Sequence, residues 1–289
     1  MINFTNCIED YNFYKGSEMK KTLIYNDKKY LVKFPDPIRQ KNKSISYINN
    51  TFAEYIGTNI FRICGFETQN TILGMYDYNG KEKIVCACED FTDEYNRLCE
   101  FEALVLSNNF GKKIDTELSD ILEFLKEICN NSCNFIEIKN KFWEMFIIDS
   151  LIVNTDRHNG NWGFLINKDT KTIKFSPIYD CGSCLNPMFE DEELDKLTDN
   201  EKKNLSINCH SCLKIDGKRI NYMSFIKSME NKECNDALIR MIDKIDINKI
   251  NEFIDSIDCI SKVRKEFYKF IIKERYFILK GTYDKLINE

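Results

Sequence analysis

The sequence predicts an α+β protein of two lobes: a small β-rich N-lobe over residues 1–92 and a larger, mostly helical C-lobe over residues 93–289. Three observations predict it. Paired strand signals crowd the front of the chain. Helical periodicity dominates the back. Strands that precede helices, rather than alternate with them, point to an α+β protein or to two lobes sharing a cleft.

The elements follow in order. Lys20–Tyr25 and Lys29–Phe34 flank Asn26-Asp27, a hairpin signal, and Pro35 and Pro37 end the second strand because proline cannot donate to a ladder. Thr51 to Cys64 reads as a helix: Phe52, Ile56, Ile60 and Cys64 recur at fourfold spacing, and Gly65 marks the stop. Thr68–Tyr76 and Lys83–Phe91 then pair around Asn79-Gly80, a dipeptide suited to a two-residue turn. Beyond Phe91 the texture changes. Leu118, Ile121, Leu122, Leu125 and Ile128 line one face of a helix over 115–130, and a second helix over 134–153 carries Phe142, Trp143 and Phe146 as core residues. Most of the chain after residue 190 reads as helix, apart from a short hairpin in Ser211–Tyr222 turned at Asp216-Gly217.

Composition narrows the functional classes. The net charge is −5, from 41 basic and 46 acidic side chains, with no basic stripe, so direct nucleic-acid binding is not expected. No apolar run approaches the ~20 residues of a membrane helix. Met1-Ile2-Asn3-Phe4-Thr5-Asn6 lacks the basic start and apolar core of a signal peptide, so the expected location is cytoplasmic, with export by a signal-independent route left open. Thirteen cysteines, an odd number, read as buried thiols rather than a disulfide framework. Cys181-x-x-Cys184 and Cys209-His210-Ser211-Cys212 have zinc-like spacing, but nothing in the sequence brings the two pairs together, and small apolar packing is the weightier reading.

The chemistry concentrates between Asn154 and Asp180. A long apolar helix delivers the polar run Asn154-Thr155-Asp156-Arg157-His158-Asn159-Gly160-Asn161. A hairpin follows, and Tyr179-Asp180 stands just past it. Phosphoryl transfer needs an aspartate that accepts or orients the proton of the attacking hydroxyl, with an asparagine and a second aspartate to hold magnesium against the phosphates. Asn161 follows Asp156 by five residues, the separation used in protein kinases. Oxygen donors such as Asn161 and Asp180 suit magnesium or manganese. Asp, Asn and Gly are also ordinary turn formers; their place between a buried helix and a hairpin favours the chemical reading.

The run Asn154-Thr155-Asp156-Arg157-His158-x-x-Asn161, followed by Pro177-x-Tyr179-Asp180, resembles the HipA-like kinases of bacteria, and most of all their compact, cell-translocating branch. The resemblance covers nearly the whole chain. Gly16-Ser17-Glu18-Met19-Lys20-Lys21 is similar to the family's phosphate-facing loop, with one glycine and a bulky Met19 in place of a glycine-rich cradle. Tyr30-Leu31-Val32-Lys33-Phe34-Pro35 resembles the strand that bears the ATP lysine. Ser46 through Gly57 resembles the approach to the N-lobe helix, and Cys88-Glu89-Asp90-Phe91 the hinge strand that meets adenine.

The resemblance implies a two-lobed, protein-kinase-like fold and ATP- and magnesium-dependent phosphorylation of serine or threonine in a protein substrate. Asp156 would be the catalytic base, supported by His158. Asn161 and Asp180 would bind the metal. Gly16, Ser17 and Lys33 would face the phosphates, and Glu89 and Phe91 the adenine. Glu54 has two readings: partner of Lys33, or the far end of a helix capping box Thr51-x-x-Glu54. Ser44 and Ser46, in a polar run between Lys33 and the helix, are the candidates for autophosphorylation. The antitoxin-docking subdomain of the longer members has no counterpart in the sequence, so no stable antitoxin partner is expected. Two other classes stay open: a small-molecule or phosphoinositide-type kinase, which shares a D-R-H-x-x-N string, and a nucleotide-binding pseudokinase.

Overall fold

The computed structural model describes residues 1–10, 19–37, 47–108, 114–129 and 134–288. The front of the chain forms a six-stranded sheet. Its strands are β1 (Ile2–Asn3), β2 (Ile8–Glu9), β3 (Lys20–Tyr25), β4 (Lys28–Lys33), β5 (Thr71–Tyr78) and β6 (Lys81–Glu89). The spatial order is β1-β5-β6-β4-β3-β2. Both predicted hairpins form. Asn26 and Asp27 take φ of 50° and 60°, and Asn79 and Gly80 take 54° and 76°. Positive φ at both central residues gives the turn a twist that matches the strands it joins.

Alternation along β6 assigns the faces. Val85 and Ala87 join Phe4, Leu23, Tyr30, Val32 and Phe34 on one side of the sheet. Cys86 and Cys88 point to the other, where they meet α1 (Asn50–Ile63) and the main core. This alternation with period two is what a sheet covered on both faces imposes. The capping-box reading of Thr51 and Glu54 is not borne out. Asn49 is the N-cap without a side-chain cap bond, Thr51 lies inside the helix, and Glu54 is fully buried. Burial favours the carboxylate that finds a cation, and Lys33 supplies one.

The back of the chain begins with an element the sequence did not announce, β7 (Asn96–Glu100), followed by α2 (Phe101–Asn108). β7 pairs antiparallel with β8 (Gly163–Asn167), which pairs with β9 (Ile173–Phe175), so the predicted hairpin is part of a three-stranded sheet. The helices α3 (Leu118–Cys129) and α4 (Phe135–Leu151) fall where periodicity placed them. Asn134 caps α4, its side chain accepting from the backbone N–H groups of Ile136 and Glu137. Next come α5 (Asp191–Lys196), α6 (Asp199–Ile207), the predicted hairpin β10 (His210–Ile215) and β11 (Lys218–Asn221), α7 (Tyr222–Ser228), α8 (Lys232–Met241), α9 (Ile247–Asp255) and α10 (Lys262–Leu286). No helix among the described residues is long and apolar enough to cross a membrane.

Two glycines allow close approaches. A Cβ at Gly163 would lie 2.3 Å from the Cys99 carbonyl, so only glycine lets β8 start against β7. A Cβ at Gly57 in α1 would lie 2.8 Å from Cys181 Cβ and 3.1 Å from Cys184 Sγ. Gly57 therefore seats α1 directly on the segment that follows Asp180.

Candidate active site

Three elements converge on one cluster of charges. β4 ends on Lys33, α1 contributes Glu54, and the chain after β9 contributes Asp180. Lys33 Nζ donates to Glu54 Oε2 at 2.6 Å and to Asp180 Oδ1 at 2.8 Å. The other Glu54 oxygen accepts the backbone N–H of Cys181 at 3.1 Å. Glu54 is thus bonded both to the lysine and to the residue after Asp180. The Asp180 carboxylate keeps 38% of its side-chain surface open, against 0% for Glu54. Burial works against the Asp180 charge, but the Lys33 ammonium, with help from Arg157 and His158, holds its carboxyl below the ordinary range. Asp180 takes φ of 56°, a conformation aspartate tolerates better than most residues.

The loop after α4 carries the second group. Val153 has φ of 57°, unusual for a β-branched residue, and turns the chain out of the helix. Asn154 then closes back on Asp149. Its N–H donates to the Asp149 carbonyl at 3.0 Å and its Nδ2 to Asp149 Oδ1 at 2.7 Å. Asp156 follows, partly buried. Desolvation raises its carboxyl pKa, His158 opposes the shift, and the Asp180 charge adds to it. Asn161 Nδ2 donates to the Asp156 carbonyl at 2.9 Å. That bond turns the amide nitrogen toward the loop's own backbone and leaves Oδ1 as the atom the amide could offer a cation. His158 Nδ1 accepts the Gly160 N–H at 3.0 Å, so in the neutral ring the proton sits on Nε2.

Arg157, legible in the sequence only as part of the polar run, is the centre of the network. It is 4% exposed. Nε and Nη2 grip the two oxygens of buried Asp149 at 3.0 and 3.1 Å. Nη1 donates to the carbonyls of Asn161 at 2.8 Å and Tyr179 at 2.6 Å, and Nη2 reaches Cys181 Sγ at 3.4 Å. One guanidinium therefore ties the loop of Asp156 to the segment of Asp180. The signal in the sequence is an aspartate in the last turn of α4 and an arginine in the loop that follows it.

The remaining predicted residues divide. Glu89 faces the sheet: its carboxylate accepts from Lys28 at 2.7 Å and Asn70 at 2.9 Å, and its backbone N–H and carbonyl bond to Asn70 and Gln69. Phe91 lies with its ring centroid 5.9 Å from that of Tyr179. Gly16, Ser17, Ser44 and Ser46 lie outside the described residues. Among the described residues no cluster of three or more His, Cys, Asp or Glu side chains is set to hold a metal, so the two cysteine pairs form no zinc site there. Cys181 and Cys184 are instead buried against Gly57 and Arg157.

This two-lobed α+β architecture, with a lysine–glutamate pair under the sheet and acidic residues at a loop between helix and hairpin, defines a kinase fold. The model of the HipA-like C-terminal domain matches residues 15–252. The chain belongs to that family. The serine/threonine-protein kinase CtkA of Helicobacter pylori is 40% identical to it, over 95% of this chain and 85% of that protein. The crystal structure of a Helicobacter pylori proinflammatory kinase CtkA superposes with a TM-score of 0.87 at 37% identity, covering 99% of this chain and 98% of the other. HipA of Shewanella oneidensis, solved with HipB and operator DNA, shares the fold alone. Its TM-score is 0.57 at 14% identity, over 97% of this chain and 68% of that one.

Proposed function

We propose that the chain is a serine/threonine protein kinase that uses ATP with magnesium or manganese. The observation that carries this is the bridge made by Lys33 between Glu54 and Asp180, with Asn161 locked to the carbonyl of Asp156. Lys33 is assigned to the ATP phosphates. Asp180 and the Asn161 oxygen are assigned to the metal, which would neutralise phosphate charge when bound. The fit rests on their donor chemistry: a carboxylate open on one side, and an amide turned so that oxygen is the atom on offer. Asp156 is assigned as the base that orients the acceptor hydroxyl. Its raised pKa matches a group that must take a proton. His158 Nε2 is assigned as a supporting donor. Phe91, rather than Glu89, is the hinge residue assigned to adenine. The lobes are assigned to residues 1–92 and 93–289.

Gly16 and Ser17 are assigned to the phosphate-facing loop, and Ser44 and Ser46 remain the proposed autophosphorylation sites. A phosphate there adds about −1.5 to −2 charges. Beside Lys41 and Lys43 it would reorganise the run that leads into α1, and so lower ATP affinity. Intact-mass and peptide analysis after incubation with ATP tests this; no phosphate on residues 44–46 of active enzyme removes it. The main reading is tested by incubating purified protein with γ-labelled ATP and magnesium, alone and with bacterial lysate, with and without EDTA. Metal-dependent label on protein serine or threonine is expected. Label only on small molecules or lipid would move the chain to the alternative kinase class, and nucleotide binding without transfer would make it a pseudokinase.

A further inference from the structure

The β10–β11 hairpin stands beside Asp156. Cys212 Sγ in β10 lies 3.9 Å from Asp156 Oδ1 and 3.3 Å from the Thr155 carbonyl. Arg219 in β11 reaches over the same point, its Nη2 3.2 Å from Cys212 Sγ and 3.4 Å from the Thr155 carbonyl. The Arg219 side chain is exposed. Among the described residues no carboxylate forms an ion pair with it; its hydrogen-bond acceptors are a carbonyl and a thiol.

The register makes this placement costly. Lys214 and Arg219 are directly opposed across the β10–β11 ladder, so two cations share one face of a two-stranded ribbon. Like charges in that position destabilise the pair. Lys214 is drawn off to Asp115 at 2.6 Å. Among the described residues Arg219 makes no ion pair, and the carboxylate that acts on it is Asp156, on the far side of Cys212. An exposed cation one thiol away from the proposed base is placed to meet an anion brought by the acceptor substrate.

We propose that Arg219 is a specificity-determining residue that selects protein segments carrying Asp or Glu next to the acceptor serine or threonine. The assignment rests on the kinase reading, because it is Asp156 as base that makes this side of the loop the acceptor side. Arg219 suits the task, since its fork of N–H donors matches a carboxylate. An acidic flank would also relieve the Lys214–Arg219 opposition when substrate binds.

The test uses the full chain and three matched peptide sets with one serine flanked by Asp, Ala or Lys, measuring kcat/KM for wild type, Arg219→Gln and Arg219→Glu. Wild type is expected to prefer the Asp set over the Lys set by about tenfold or more, the scale of a rim charge acting on encounter and register. Arg219→Gln should flatten the preference and Arg219→Glu should invert it. Magnesium–ATP affinity and thermal midpoint of both variants certify folding. An unaltered acidic preference in Arg219→Glu, or no charge preference in wild type, overturns the inference and leaves the kinase reading standing. Failure of wild type to label any peptide while it still labels itself or lysate protein also overturns it. Absence of all label together with absence of magnesium–ATP binding removes the kinase reading as well.

Discussion

Lys33 holds two carboxylates at once, Glu54 at 2.6 Å and Asp180 at 2.8 Å, and the two come from elements 126 residues apart in the chain. Glu54 has no solvent to fall back on. Lys33→Met leaves that carboxylate buried with only the Cys181 N–H for company, and removing one partner of a buried pair costs about 3–5 kcal/mol. The expected result is a lower denaturation midpoint together with loss of ATP affinity. Glu54→Gln should cost less stability than Lys33→Met, because its amide oxygen can still accept from Cys181. Urea unfolding of both variants, with nucleotide titration, checks the order.

Asp156 and Asp180 should separate chemistry from binding. Asp156→Asn keeps the size of the side chain and removes the proposed proton acceptor. Phosphotransfer should fall by about 10²-fold or more, the scale of general-base loss, with nucleotide affinity nearly unchanged. Asp180→Asn should weaken nucleotide binding in magnesium, and EDTA should no longer alter its affinity. Titration calorimetry and single-turnover transfer distinguish the two. Near-full activity in Asp156→Asn would pass the role of base to another residue.

The same two aspartates should have opposite effects on stability as pH changes. The carboxyl of Asp156 is raised by burial, so the folded state binds more protons than the unfolded one between the two pKa values, and stability falls as pH rises through that window. At neutral pH Asp156→Asn should therefore melt at or above the wild-type temperature, with the advantage fading below about pH 4, the ordinary carboxylate value. The carboxyl of Asp180 is lowered by Lys33 despite burial. Its contribution is present above the unfolded value and lost as pH falls through the folded one, so Asp180→Asn should melt lower at neutral pH, the deficit closing in acid. The acid limb of the wild-type activity profile should likewise lie above the ordinary aspartate pKa, because the proposed base must be deprotonated to act. Melting curves from pH 3 to 8 read both signs.

Much of this architecture is legible in the sequence because its signals are local. Asn26-Asp27, Asn79-Gly80 and Asp216-Gly217 write positive φ into adjacent residues, and each turns a hairpin. Asp156 and Asn161 sit on one loop, so their spacing is readable. The unread parts depend on distant partners. β7 is five residues with two charges, and it becomes a strand only because Leu98 finds Leu165 across the sheet. Arg157 looked like a loop cation, and its importance comes from carbonyls at Asn161 and Tyr179 converging on it. Arg275 was one basic residue in a helical stretch. It is fully buried and donates to the Ser150 and Ser206 carbonyls, bracing the ends of α4 and α6.

Arg157 and Asp149 should behave as one unit. Asp149→Ala leaves a buried guanidinium without its counter-charge, and Arg157→Ala leaves a buried carboxylate bonded only to Asn154. Each single change is expected to cost about 3–5 kcal/mol, and the double change less than their sum, because no unpaired charge then remains. A double-mutant cycle by denaturant unfolding measures the coupling. Additive losses would show that the pair is not a unit and that the loop is held by its other bonds.

Gly57 and Gly281 offer a matched pair of tests inside helices. Replacing a helical glycine with alanine improves propensity by about 1 kcal/mol. At Gly281 in α10 an added Cβ meets nothing within 4 Å, so that gain should appear intact as a higher melting temperature. At Gly57 the same Cβ would sit 2.8 Å from Cys181 Cβ, a contact that cannot persist without movement. The neighbour cannot simply rotate away, because Cys181 is buried, its N–H is held by Glu54, and its sulfur takes a bond from Arg157. Overpacking of this kind costs about 1–3 kcal/mol, enough to erase the propensity gain and reverse its sign. The strain falls on the joint between α1 and the Asp180 segment. Gly57→Ala should therefore lower the melting temperature and also weaken magnesium–ATP binding, because separating Glu54 from Cys181 shifts Lys33 relative to Asp180. Gly281→Ala should leave nucleotide affinity untouched. Equal stabilisation by both alanines, with full ATP affinity at Gly57→Ala, would mean that α1 can move away from Cys181 without disturbing the site.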